Sequence, residues 1–225
     1  GGLIFLVPML ISTLLFASKY PMLIPMLIVT LGFGFIGFID DMLKVIRKDK
    51  DGLSAKQKSF AQFVISAAFA FYVAYTPSLG TGMILPFSGS NAVAELPVWL
   101  FVPLVIIVMY LITNSVNMTD GVDGLAAGVT LIVTVFFTIV AMQQSQWNHI
   151  KLMCSITAGG CLGFLVFNVY PAKVIMGDTG SLALGGVVGA AAVLMKMPWM
   201  LLIAGGIYAV ESLSVFIQVV SFKLR

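Results

Sequence analysis

"PVWLFVPLVIIVMYLITNSVNMTDGVDGLAAGVTLIVTVFFTIVA", residues 97–141, decides the class of fold. Its flanks, 97–113 and 123–142, are each apolar over the length that a helix needs to cross a hydrocarbon core of about 30 Å. Between them, "NSVNMTDGVDGLAAG" (114–128) holds two asparagines, two aspartates and three glycines in a chain that otherwise avoids charge. The pattern predicts two spanning helices joined by a polar turn at a membrane surface.

Working outward, the same apolar period recurs. Eight spans are expected, near 1–17, 21–39, 58–77, 97–113, 123–142, 149–168, 182–196 and 199–222. The 225 residues are 60% hydrophobic and 9% charged, and the mean hydropathy is +1.09. Such a balance excludes an ordinary soluble domain. The expected fold is all-α, a polytopic integral membrane helical bundle forming one domain over 1–225. Cys154 and Cys161 lie in one span at a spacing that fits no zinc pattern and read as small core residues. His149, the only histidine, sits at a span boundary beside Trp147 and reads as interfacial.

Eight spans alternate the loops between two sides. Lys44, Arg47, Lys48, Lys50, Lys56, Lys58, Lys173, Lys223 and Arg225 fall on one side, and Lys19, Lys151 and Lys196 on the other. The richer side is therefore cytoplasmic. Tyr20, Tyr75, Trp99, Trp147 and Trp199 then lie at the outer interface. The acids follow the same bias, although the positive-inside rule does not govern them. Asp40, Asp41, Asp49, Asp51, Asp120, Asp123 and Asp178 are all cytoplasmic, against Glu95 outside and Glu211 within the last span. Asp49 and Asp51 read as solvated loop charges. The other five lie close to span ends on three separate segments, and carboxylates gathered in this way repel unless a cation joins them.

In "GFIDDMLKV", Asp40 and Asp41 end the second span, where acids oppose the helix dipole and so point to use. In "GLSAKQK", Ser54 and Gln57 predict a capping box that starts a helix near Ala55. Lys56 and Lys58 then fall in its first turns, where a phosphate partner would compensate them. Asn114 and Asn117 are three apart on the last turn of the fourth span, and Asp120 and Asp123 flank a glycine turn. Gly124 and Gly128 also form a G-x-x-x-G with a helix-packing reading. In "FNVYPAKVIMGDTGSLALGG", Asn168 ends a span and Asp178 falls in a glycine-flanked turn before the next helix. Backbone donors at that helix start suit phosphate, and the carboxylate suits Mg2+.

"FIDDMLKV", "NMTDGVDGLAAG" and "MGDTGSLALGG", in this order, resemble the polyprenyl-phosphate N-acetylhexosamine-1-phosphate transferase superfamily. Within it they are most similar to the bacterial phospho-N-acetylmuramoyl-pentapeptide transferases, with Thr119 and the "GDTGSLALGG" form leaning that way. The resemblance implies transfer of the phospho-sugar of UDP-N-acetylmuramoyl-pentapeptide to undecaprenyl phosphate, giving UMP and lipid I for peptidoglycan. It implies Mg2+ as cofactor, with Asp178 as its ligand and Asp40, Asp41 and Asp178 as catalytic. Lys58, Asn114, Asn117, Asp120, Asp123 and Asn168 are then substrate-binding. Ile175 departs from the pattern, because relatives often carry an aromatic there that can stack on uracil. About ten spans are expected in the complete family fold, so this chain is expected to lack an N-terminal helix and a C-terminal loop and helix. The bilayer of a bacterial inner membrane is the expected location, with the site on its cytoplasmic face. A homodimer is allowed for, and no nucleic acid partner is expected.

The lipid phosphate has a second pKa of about 6 and needs little general base. Metal and acceptor positioning therefore rank above base catalysis by Asp40 or Asp41, and a covalent aspartyl intermediate ranks last. The rival readings are a transferase acting on UDP-N-acetylglucosamine and, more distantly, a membrane transporter. A transporter would place acids near the midplane, as only Glu211 is placed here. Glu211 and Gln218 read as bonds between neighbouring helices.

Overall fold

The computed structural model describes residues 1–47, 52–86 and 93–223. Lys48, Asp49, Lys50, Asp51 and Arg225, used above in the charge distribution, lie outside these residues. Among the described residues the elements run α1 (Leu3–Ala17), α2 (Leu23–Arg47), α3 (Ala55–Tyr75), β1 (Gly82–Ile84), β2 (Val93–Glu95), α4 (Val98–Thr119), α5 (Leu125–Ala141), α6 (Asn148–Asn168), α7 (Gly177–Leu194), α8 (Met200–Ala204) and α9 (Gly206–Lys223). Each expected span coincides with a helix, and only the last is interrupted, at Gly205 between α8 and α9. Among the described residues four stretches are long and apolar enough to cross a bilayer, namely Leu23–Arg47, Val98–Thr119, Ser145–Asn168 and Gly177–Leu194. Leu3–Ala17, Leu125–Ala141 and Gly206–Phe222 are shorter apolar helices. The fold is an all-α polytopic membrane bundle.

The bundle is built around α7. Every residue from Thr179 to Leu194 is buried, and α2 and α4 pack along it. Glycines allow that closeness. A Cβ at Gly185 would come within 2.5 Å of the Thr113 Cα on α4, and one at Gly186 within 2.9 Å of the Phe33 ring on α2. The outer helices turn large apolar side chains outward, Leu15, Ile28, Phe35, Ile132, Val166 and Val210 among them. Exposed apolar surface of this extent fits a lipid neighbour. Buried hydroxyls are satisfied inside the helices, as Thr30, Thr113, Thr130, Thr134 and Thr157 donate to the carbonyls of Met26, Met109, Ala126, Thr130 and Met153. No polar neighbour on another helix is then needed.

Four sequence expectations change. α2 runs on to Arg47, so Asp40 and Asp41 lie well before its end and the argument from an opposed helix dipole fails there. α7 starts at Gly177, which puts Asp178 in its first turn rather than in a turn before it. A Cβ at Gly128 would meet nothing within 4 Å, so no close helix approach requires glycine there and the G-x-x-x-G packing reading is not supported at that position. Gln218 bonds Ser214 within its own helix, Nε2 to Oγ 3.1 Å, and does not join neighbouring helices.

At the end of the bundle away from Asp178, the loop between α3 and α4 forms an antiparallel hairpin, with Met83 opposite Ala94. It is pinned to the chain after α7, because Ile84 N donates to Lys196 O at 2.8 Å and Trp199 Nε1 donates to Ile84 O at 2.8 Å. Cys154 and Cys161 are free and buried, as their small-core reading requires.

Candidate functional site

Gly177 takes a φ of +75°, a left-handed turn that suits glycine and swings the chain into α7. The first N–H groups of a helix have no partner inside it. Here α2 supplies one. Asp41 Oδ1 accepts from Asp178 N at 3.2 Å, and its Oδ2 accepts from Thr179 N at 2.9 Å and Thr179 Oγ1 at 2.6 Å.

The Asp178 side chain collects partners from three other helices. Oδ2 accepts from Lys58 Nζ of α3 at 2.8 Å and from Lys44 Nζ of α2 at 3.1 Å, and Oδ1 accepts from Asn117 Nδ2 of α4 at 2.8 Å. Asn117 Nδ2 also donates to Ser181 Oγ at 2.8 Å. Asp40 is buried, pairs with Lys44 at 2.6 Å and accepts from Leu53 N at 2.7 Å, which ties the start of α3 to α2. The Ser54 and Gln57 capping box forms as expected and aims the first turn of α3 so that Lys58 reaches inward.

Asp40, Asp41 and Asp178 each offer an oxygen within 4.8 Å of the others. Clustered hard carboxylate oxygens are the donor set that Mg2+ takes, so the residues fit that ion. Asp120 caps the end of α4 beside the Gly177 N–H. Burial, with the charges of Asp178 and Asp41 added, pushes its carboxyl up to about 7 against the pull of that N–H.

The other expected residues are placed differently. Asn114 lies one turn before Asn117 on α4 and donates to Gln62 Oε1 at 2.9 Å and Tyr110 O at 2.7 Å. It lines an apolar cavity of about 760 Å³ between α4 and α8–α9, with Leu104, Val108, Leu202, Tyr208 and Phe216. Asn168 and Asp123 join loops. Asn168 Oδ1 accepts from Gly124 N at 3.1 Å, its Nδ2 donates to Val174 O at 2.9 Å, and Asp123 Oδ2 accepts from Ala172 N at 3.0 Å. Ile175 is exposed on the same loop. Lys44, Thr179 and Ser181 belong to the site but were not singled out for it by motif. The signal for Lys44 was present, since it lies four residues after Asp40 on one helical face.

Residues 23–196 match the family model described as glycosyl transferase family 4. The chain is also similar to three proteins named phospho-N-acetylmuramoyl-pentapeptide-transferase. That of Acetivibrio thermocellus is 58% identical over 224 residues, covering 100% of this chain and 67% of the relative. That of Clostridium novyi is 44% identical over 227 residues, covering 100% and 68%. That of Clostridium beijerinckii is 46% identical over 226 residues, again covering 100% and 68%.

Proposed function

The chain belongs to glycosyl transferase family 4, and from that premise we propose that it transfers phospho-N-acetylmuramoyl-pentapeptide from its UDP-linked donor to undecaprenyl phosphate, releasing UMP and forming lipid I. The observation that carries this reading is the convergence of Lys44, Lys58 and Asn117 on Asp178 at the start of α7. The names of the relatives supply the substrate class. No observation favours N-acetylglucosamine as the sugar.

In the transfer, an oxygen of the acceptor phosphate bonds to the sugar-bearing phosphorus, and the bridge from that phosphorus to UMP breaks. Two anions must approach, so the barrier is largely electrostatic. Mg2+, when bound, would neutralise the diphosphate and polarise its P–O bonds. Asp178, whose carboxylate is the more open one, would hold it, with the buried Asp40 carboxylate adding negative charge alongside. Lys44 and Lys58 stand beside these carboxylates and offer ammonium groups to phosphate oxygens of donor and leaving group. Asn117 fixes Asp178, and Asp120 borders the same turn of α7. The acceptor phosphate is largely dianionic at neutral pH and attacks without a base. Its isoprenoid chain suits the apolar cavity between α4 and α8–α9 that ends near Asn114.

The test offers UDP-N-acetylmuramoyl-pentapeptide and UDP-N-acetylglucosamine separately, with undecaprenyl phosphate and Mg2+, and follows UMP release. Turnover is expected with the muramoyl-pentapeptide alone. Turnover with N-acetylglucosamine alone would move the substrate assignment, and nucleotide flux in liposomes without turnover would sink the enzyme reading.

The site is proposed to face the cytoplasm of a bacterial inner membrane, in line with the nine-to-three distribution of Lys and Arg. Ser78 and Val122 are exposed at opposite ends of the bundle, and the native cysteines are buried. Ser78→Cys is expected to react with an impermeant thiol reagent in intact cells, and Val122→Cys only after permeabilisation. The reverse pattern would invert the topology.

A further inference from the structure

Asp40 and Asp41 are adjacent in sequence, yet their carboxylates serve different helices. Asp40 faces Lys44 and the start of α3. Both oxygens of Asp41 are turned to α7, where they accept two backbone N–H groups and the Thr179 hydroxyl. From this we infer that Asp41 is a positioning residue: it caps α7 from another helix and thereby fixes Asp178, without itself reacting or holding the metal. The inference rests on the function proposed above and deepens it.

α7 has no cap of its own, since Met176 precedes it and offers no side-chain acceptor. The first turn carries both Asp178 and Ser181, the two groups that Asn117 engages. An anion at a helix N-terminus meets the positive end of the dipole and satisfies donors that would otherwise be unpaired. Thr179 is buried, so water is poorly placed to replace Asp41 there. Releasing this turn would let the Asp178 carboxylate drift relative to Lys58 and Asn117, and a displacement of about 1 Å at a reacting centre costs on the order of a hundredfold in rate.

The role separates from base catalysis by one substitution. Asn keeps one accepting oxygen, enough for the Thr179 N–H and hydroxyl, and loses only the longer bond from Asp178 N, but it cannot accept a proton or bind Mg2+ as a carboxylate does. Asp41→Asn is therefore expected to keep turnover within about tenfold of the parent, whereas Asp41→Ala loses about a hundredfold. Mn2+ binding to the detergent-solubilised protein, read by electron paramagnetic resonance, gives a second measure. It should be near normal in Asp41→Asn and weakened in Asp41→Ala. Thr179→Val, which removes only the hydroxyl donor, is expected to raise the Mn2+ concentration for half-saturation while leaving the pH profile of turnover unmoved. Asp41→Asn as inactive as Asp41→Ala in a protein that still folds, or a pH profile shifted by Thr179→Val, would overturn the inference. Absence of turnover in the parent with either nucleotide sugar would instead defeat the function on which it rests.

Discussion

Asp178→Asn is expected to lower transfer by about a thousandfold or more, the scale of losing a preorganised charge contact at a phosphoryl centre. One carboxylate oxygen of Asp178 meets two ammonium groups, at 2.8 and 3.1 Å, and the other meets the Asn117 amide. A neutral amide of the same shape presents one oxygen and one N–H pair, so either it turns a donor toward the lysines or it loses the bond from Asn117. It also removes an anion from a site that must hold a divalent cation next to two lysines. The protein should still fold, because the bonds from Asp41 reach the backbone of Asp178 and are untouched by the change. Parent-like melting with UMP release near background is the expected pair of results. Glu95→Gln, on β2 at the far end of the bundle, serves as the control and should leave turnover unchanged. Near-normal turnover in Asp178→Asn would remove Asp178 from the site.

The span positions were legible because lipid imposes one rule on each helix, a long apolar window, and hydropathy reads that directly. The three polar segments were legible for the complementary reason, since charge at span ends stands out against such a background. What sequence concealed lies outside lipid, where helix and loop carry no contrast in hydropathy. The six residues of α2 from Met42 to Arg47 are helical, yet read as loop. Lys44 was hidden among basic residues expected on the cytoplasmic side. Asp40 and Asp41 read as a pair because they are neighbours, although successive helical residues point about 100° apart and reach different partners. Asn168 and Asp123 read as pocket residues, and the bonds by which they also join loops needed three dimensions to see. The hairpin at the other end has strands of three residues, too short for a period to register.

Gly37→Ala tests how far the site depends on the packing beneath it. Gly37 lies on α2 one turn before Asp41, at the closest approach to α7, and a Cβ there would collide with the carbonyl of Asp178 and the backbone N of Thr179. Neither neighbour is a flexible side chain, so the two helices must separate. Overpacking of this kind costs about 1–3 kcal/mol of stability, and here it also strains the bonds by which Asp41 caps α7. Turnover is expected to fall by about a hundredfold, the scale of a displacement near 1 Å, together with a lower melting temperature. Gly128→Ala provides the contrast. Its Cβ enters open space on α5, and exchanging Gly for Ala inside a helix gains about 0.5–1 kcal/mol, so stability should hold or rise with turnover unchanged. Matching losses in the two variants would mean that substitution of any helical glycine disables the protein. The α2–α7 contact would then have no special claim on the geometry of Asp178.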